Sequence, residues 1–453
     1  GAKLTLGEKT VGLFSSDASK FENTFINLQN LEASIGDGSV FAYFNKDEGT
    51  PTVTITNQTL GNLNVKKLGD KAAMFYGDKG TTVNINGSID FTSFTGTINP
   101  TAQFLVSNNG NANIGASKTI KSNLKTTVSG LNEAKVKNAG TIEMSGTNES
   151  VGIYLKGSEG TNEATGTITA DEEKSIGIYG VKNGTKTSKL ENAGTIETKK
   201  KASVGMLGEE ESTINNVSGG IINTDEKESA GIYGSKGSTI TNAGTISAKK
   251  TGSAGIYASD SKVTNALGGV INTQEGKSAG VYAIFNKKVY DIDNSGTINV
   301  GSTTSPTTET KGVGIYAKLE NNATATGNVT IDNKNTVAIN IKDSIGIYAQ
   351  NDTGDDNRII VNNKKDIISS SSSDGAIGIM AKRAKVTNLA TSGKIELGGK
   401  SSVGIYGTGG VNIVNNSSNV NVGNKSYGVI LSNPGMNTNR YVNSSGTSIT
   451  LGE

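Results

Sequence analysis

The chain has 453 residues, 60 of them glycine and only 4 proline, with 33% hydrophobic residues and a formal net charge of +2. That composition does not suit a globular α/β enzyme, and the charge provides no drive toward nucleic acid or an anionic membrane. Cysteine, histidine and tryptophan are absent, which excludes disulfides, thiolate metal sites, cysteine nucleophiles and every mechanism that needs an imidazole.

Residues 1–130 are loosely patterned. Thr10-Val-Gly12-Leu-Phe14 and Ala73-Met-Phe75-Tyr76 are irregular versions of a phrase that becomes strict later, and nine of the ten phenylalanines precede residue 105. Phe21, Phe25, Leu28 and Glu32 fall at helix-like spacing. This part is expected to be degenerate β-helix rungs or a capping subdomain, since solenoid ends need covering. No leader pattern opens the sequence and no run of 18 apolar residues occurs. The Gly1-Ala2 start reads as a cloning remnant, and the sequence as an excerpt of a longer protein.

From residue 131 a phrase close to Ser-x-Gly-(Ile/Val)-Tyr recurs eleven times, with glycines at 152, 177, 205, 231, 255, 280, 314, 346, 378, 404 and 428. The steps are 25, 28, 26, 24, 25, 34, 32, 32, 26 and 24 residues. A period in this range marks a solenoid. Apolar residues stand before the glycine (Val151, Ile176, Val204, Ala230 and onward) and after it (Ile153, Ile178, Met206, Ile232 and onward). Strand alternation predicts that both of these columns face inward, and that the Ser, Gly and Tyr columns face outward. A glycine repeated inside a strand predicts a bulge or a close backbone approach. The tyrosines, among them Tyr154, Tyr179, Tyr233, Tyr257, Tyr282, Tyr316, Tyr348 and Tyr406, should form a stacked stripe, or a contact strip for carbohydrate or protein.

A second phrase, Asn-Ala-Gly-Thr-Ile, begins at Asn138, Asn192 and Asn242 and reads as a corner between short strands. The consistent fold is all-β: a right-handed parallel β-helix with about 25 residues and three short strands per rung. Asparagine rows would hydrogen-bond up the stack. Acidic and basic loops alternate, Asp171-Glu-Glu173 before Lys199-Lys-Lys201 and Asp225-Glu226 before Lys249-Lys250, which favours correct register.

The regular β-helix of residues 131–453 is interrupted at about 283–375, where extra residues sit around 284–291, 301–311, 350–358 and 369–374. Insertions become flank loops, often functional ones. Ile284, Phe285 and Tyr290 are therefore the candidate binding residues, as exposed apolar anchors. The oxygen-rich stretch 351–357 is weighed as a calcium loop, but it lacks the length and the closing Glu of an EF-hand, and a solvated loop is the expected reading. No catalytic residue, cofactor or metal is expected.

Taken together, the alternating Asn-Ala-Gly-Thr-Ile and Ser-Val-Gly-Ile-Tyr-Gly phrases resemble the passenger region of large fusobacterial type V autotransporter adhesins, the RadD-like kind. The likeness covers about residues 131–430 well and the rest loosely. It implies a surface-exposed adhesin fragment or stalk at the outer membrane, with a leader and a membrane barrel elsewhere in the parent protein. Its partners would be a host-cell receptor or glycan, or other bacterial surfaces. This fragment would not insert into the membrane and would be monomeric. The alternatives are a β-helix polysaccharide lyase or hydrolase, which needs convergent carboxylates, and a phage tail-fibre component.

Overall fold

The computed structural model describes residues 2–15, 31–45, 52–56, 63–301, 311–321, 323–334, 338–355, 357–389, 393–409, 413–432, 440–444 and 446–452. Among them the only helical segment is a single 3-10 turn at Phe91–Ser93. Parallel strand ladders account for the rest of the regular structure, and the fold is a right-handed parallel β-solenoid. It divides into two compact units, residues 1–215 with 219–223, and residues 216–218 with 224–453.

In the first unit, the sheet that carries the glycine phrase runs from Val11–Ser15 through Val40–Phe44, Ala73–Asp78, Gln103–Asn108, Thr126–Leu131, Val151–Lys156 and Ile176–Val181 to Val204–Gly208. The two irregular phrases near the amino terminus therefore belong to the same sheet as the strict ones. A second sheet includes Thr52–Thr56 through Lys189–Asn192, and a third includes Ile89–Asp90 through Thr195–Thr198. A separate four-stranded sheet is built from Lys3–Thr5, Glu32–Ile35, Asn64–Leu68 and Thr97–Ile98. Glu32 thus opens a strand, while Phe21, Phe25 and Leu28 lie outside the described residues. The early phenylalanines do build a bulkier core: Phe41, Phe75, Phe104 and Phe91 are fully buried and meet edge to face.

The second unit repeats the three-sheet plan. Its phrase-bearing sheet holds Ala230–Ser235, Ala254–Ser259, Ala279–Phe285, Val313–Leu319, Ile345–Asn351, Ile377–Lys382, Val403–Thr408 and Tyr427–Ser432. The column after the glycine is inward as expected: Ile232, Ile256, Ile315, Ile347, Ile379 and Ile405 are all inaccessible. The asparagine rows form as well. Each side-chain amide donates to the next in the series Asn216, Asn242, Asn265, Asn294, Asn333, Asn363, Asn388 and Asn416, at 2.8–2.9 Å. In the first unit Asn138, Asn162 and Asn192 do the same at 2.8 Å. The amides are buried, so each bond replaces one that water would otherwise have to supply.

Three columns face opposite to the expectation. The register pairs Ala254 with Ala279 and Ile256 with Val281 without a shift, leaving the glycine of each strand out of the ladder, so the alternation of facing breaks there. Two successive residues, the glycine and the aliphatic residue after it, then turn inward. The column before the glycine is consequently outward, with Val151, Val204, Val313 and Val403 half-buried. The serine before that is inward and buried. Ser150 and Ser175 hydroxyls lie 2.9 Å apart, and the Ser150 N–H donates to the Ser175 hydroxyl. The glycine is inward because nothing larger fits. A Cβ on Gly255 would stand 2.7 Å from the Gly280 carbonyl oxygen and collide with the Ile271 side chain across the core.

These facings set a graded expectation. Gly255→Ala forces backbone displacement in a full core and should cost about 1–3 kcal/mol. Ile256→Asp buries an unpaired carboxylate and should exceed about 4 kcal/mol. Tyr257→Ser removes only an outward ring contact, worth about 0.5–1.5 kcal/mol beyond area burial. Thermal unfolding should show the largest loss for Ile256→Asp, a smaller one for Gly255→Ala and the smallest for Tyr257→Ser; a Tyr257→Ser loss as large as the Ile256→Asp loss would contradict the assigned facing.

Candidate functional site

The broken alternation places tyrosine directly beside the small pre-glycine residue on each strand, free to stack on the tyrosine one turn away. In the second unit Tyr233, Tyr257, Tyr282, Tyr316 and Tyr348 form an unbroken column with ring centroids 4.8–5.2 Å apart. Tyr257, Tyr282 and Tyr316 lie nearly parallel, at 25° and 23°. Met380 and Tyr406 continue the column through the strand register. Burial pushes the hydroxyl pKa of Tyr257, Tyr316 and Tyr348 upward, so these phenols stay neutral across the physiological range.

One polar network adjoins the column. The Tyr316 hydroxyl donates to Gln350 Oε1 at 2.9 Å, and Gln350 Nε2 donates to Asp352 Oδ2 at 2.7 Å. Lys382 reaches the other Asp352 oxygen at 2.7 Å, and Lys318 bridges Asp352 at 3.5 Å and Glu320 at 3.1 Å. Burial disfavours the Asp352 carboxylate. The hydrogen bonds from Lys382 and Gln350, with the charges of Lys382 and Lys318, outweigh it and hold the group below its ordinary range. The hydrogen bond from Lys318 to Glu320 raises the ammonium pKa of Lys318.

Beside this network residues 286–291, 323–328 and 351–355 form an ordered flank. Asp260 Oδ1 accepts the backbone N–H groups of Asn286, Lys287 and Lys288 at 2.7, 3.0 and 3.3 Å, fixing the start of residues 286–291. The Asn286 carbonyl accepts from the Ala325 N–H at 3.0 Å. The Arg358 guanidinium, mostly buried, donates to the carbonyls of Ala325 and Gly327. Arg383 donates to the Gly354 carbonyl at 2.7 Å, and Asn351 Nδ2 donates to the Asp355 and Arg383 carbonyls. Residues 286–288, 325–327, 351–355 and 358 are thus tied together, largely by side chains that spend their donors and acceptors on backbone.

The predicted site residues are placed differently from one another. Ile284 and Phe285 are not in a loop: the strand Ala279–Phe285 runs on to pair Ile284 with Lys318 and Phe285 with Leu319. Alternation turns Phe285 into the core, where it is 0% exposed, so it is no exposed anchor. Ile284 is outward and half-buried, and Tyr290 is half-buried within the flank. In the oxygen-rich stretch, Asn351 Oδ1 accepts from both the N–H and the hydroxyl of Thr353, and Asp352 is committed to the network above. Asp356 and residues 302–310 lie outside the described residues. Asp260, Arg358 and Arg383 had not been singled out from sequence. The signal was there in the scarcity of arginine: the chain has only Arg358, Arg383 and Arg440, and two of them hold the insertions.

A family model described as the third pectate lyase-like domain of BigA matches residues 52–230, less than half of the chain. Among solved structures the chain is similar to one in the cryo-EM structure of the Vag8–C1 inhibitor complex, at 13% identity and a TM-score of 0.42, over 99% of this chain and 93% of that one. A likeness at that score says nothing about ligands. Among curated proteins no sequence matches.

The depressed Asp352 pKa gives a signed pH dependence. The stabilisation by its ionised form is present above the unfolded carboxylate pKa and is lost as pH falls through the lower folded value. Asp352→Asn should therefore cost about 1–3 kcal/mol near neutrality, and its melting temperature should converge on that of the parent chain as pH drops below the ordinary carboxylate range. A constant gap at all pH values would show that the charge of Asp352 is not what matters.

Proposed function

We propose that this chain is part of an extracellular, passenger-like β-solenoid of the autotransporter adhesin type, attaching its cell to other bacteria or to host cells. The pectate lyase-like family match supports a β-helix of this class, and the alternating phrases support the closer comparison with RadD-like passengers. The observation that carries the reading is the tied flank. A stalk needs only its repeats; here Asp260, Arg358 and Arg383 are used to hold loops that the repeats do not require. Loops held rigid on a regular scaffold are how binding sites are presented. The receptor, protein or glycan, would meet residues 286–291, Tyr290 among them, with 323–328 and 351–355, and Lys318 at the margin.

A lyase or hydrolase reading draws on the family description, but it needs carboxylates available to a substrate. Glu320 and Asp352, the two carboxylates nearest the tyrosine column, are already engaged by Lys318 and Lys382. Among the described residues no group of three or more acidic side chains gathers as a metal site would require.

Replacing 286–291 by a two-residue turn, together with Arg358→Ala, should lower attachment of the immobilised chain to cultured epithelial cells and to bacterial cells by at least about tenfold, the effect of losing one hot-spot group. Melting temperature should fall only slightly, because the core columns remain. Full attachment by this variant would remove the flank from the binding site.

A further inference from the structure

We propose that the tyrosine face of the second unit is a self-complementary surface through which two copies of the chain associate. This goes beyond receptor binding and centres on the tyrosine column; only Lys318, Glu320 and Asp352 lie at the margin of both surfaces.

The face differs from the other solvent-facing sheet surfaces of the same unit. Those carry charges in outward strand positions, such as Lys262, Asp293, Asp332, Lys385 and Glu396. On the tyrosine face, from Ala230–Ser235 to Val403–Thr408, the outward positions hold Ala, Val, Ile, Tyr, Met, Ser, Gln and Thr, of which Ala230, Ser235, Ala254, Ala279 and Ile345 are nearly covered by their neighbours. The only charged residues there are Lys318 and Lys382, and both are paired with Asp352. Enrichment in Tyr with loss of charge is a feature of an interface core.

Ring geometry narrows the occupant. Tyr257, Tyr282 and Tyr316, 4.8–5.2 Å apart and nearly parallel, spend their faces on one another, and Tyr233 and Tyr348 close the column edge to face. A sugar ring needs an open aromatic face; a flat protein surface does not. A phenol can both donate and accept a hydrogen bond, and Tyr316, whose proton goes to Gln350 Oε1, can still accept one, so such a column can meet a copy of itself. The adjoining charges balance, two lysines against Asp352 and Glu320, and identical faces do not repel. A surface that faces itself must satisfy both conditions, whereas a surface for an unrelated receptor need satisfy neither.

The size also fits. Seven rows from Tyr233 to Tyr406, at about 4.8 Å each and about 20 Å along the strands, give roughly 600 Å². Specific complexes bury about 800 Å² per partner, so a two-fold pair using this face is expected to be reversible, with a dissociation constant in the micromolar range.

Sedimentation velocity of the full chain from about 1 to about 200 µM, which brackets that range, should show a monomer–dimer equilibrium. Tyr282→Glu, and separately Tyr316→Glu, should raise the dissociation constant at least about tenfold, as loss of a central anchor does. Thr264→Glu, outward on the neighbouring sheet, should leave it unchanged. Tyr316→Phe keeps the ring and loses only the hydroxyl, so it should weaken the dimer by a smaller factor; it carries the test if either glutamate variant fails to fold by circular dichroism. A wild-type chain monomeric throughout, a dimer indifferent to all three tyrosine changes, or an equal loss with Thr264→Glu would each overturn the proposal. The flank variant above should dimerise normally, so failure of the adhesion reading and failure of this one are separable.

Discussion

The organising constraint is the close approach of backbone to backbone at the repeated glycine. At Gly152 a Cβ would lie 2.7 Å from the Gly177 carbonyl oxygen and 3.1 Å from Ile168 Cγ2, closer than atoms pack. Because the glycine carries no side chain, the alternation of facing breaks there, and two consecutive residues turn inward. Everything on that sheet takes its facing from this event: serine inside at the corner, the small residue outside, isoleucine in the core, tyrosine out. The regular stacking of tyrosine is therefore a by-product of a tight core as much as of aromatic attraction.

Elsewhere the core conserves volume by exchange between facing sheets. Leu155 in one turn fills the space opposite Gly160, where a Cβ would come within 2.6 Å of Leu155 Cδ1. In the following turn the sizes are reversed, Gly180 facing Leu190. Close-packed interiors permit this trade because total volume, not the identity at one position, is what must be kept. Outside, the alternating loops do meet: Lys201 with Glu173 at 3.6 Å, and Lys249 with Asp225 at 2.7 Å. These side chains are about half exposed, so their effect on stability is small and their use is in choosing which turn stacks on which.

The period, the buried isoleucine column, the asparagine rows and the tyrosine stack were all legible in sequence, because each depends on one residue type recurring at one spacing. The serine and pre-glycine columns were not, because simple alternation carries no information on where the parity shifts. Phe285 was misplaced for a related reason: a strand two residues longer than expected turned an apparent loop residue into a core residue. The flank was legible only as extra length. That Asp260 binds the N–H groups of residues 286–288 depends on chain segments meeting in space, which no local pattern records.

The asparagine series also gives the second unit a mechanical direction. Every amide passes its hydrogen bond on to the following turn, and the strand ladders join turn to turn in the same sense. Tension applied to a chain end along the stacking direction is therefore borne one turn at a time, and the terminal turn peels away before its neighbour bears much strain. Tension applied along a strand loads all the bonds of that strand at once, in shear. The same set of contacts would yield gradually under the first kind of pull and resist the second up to a single rupture.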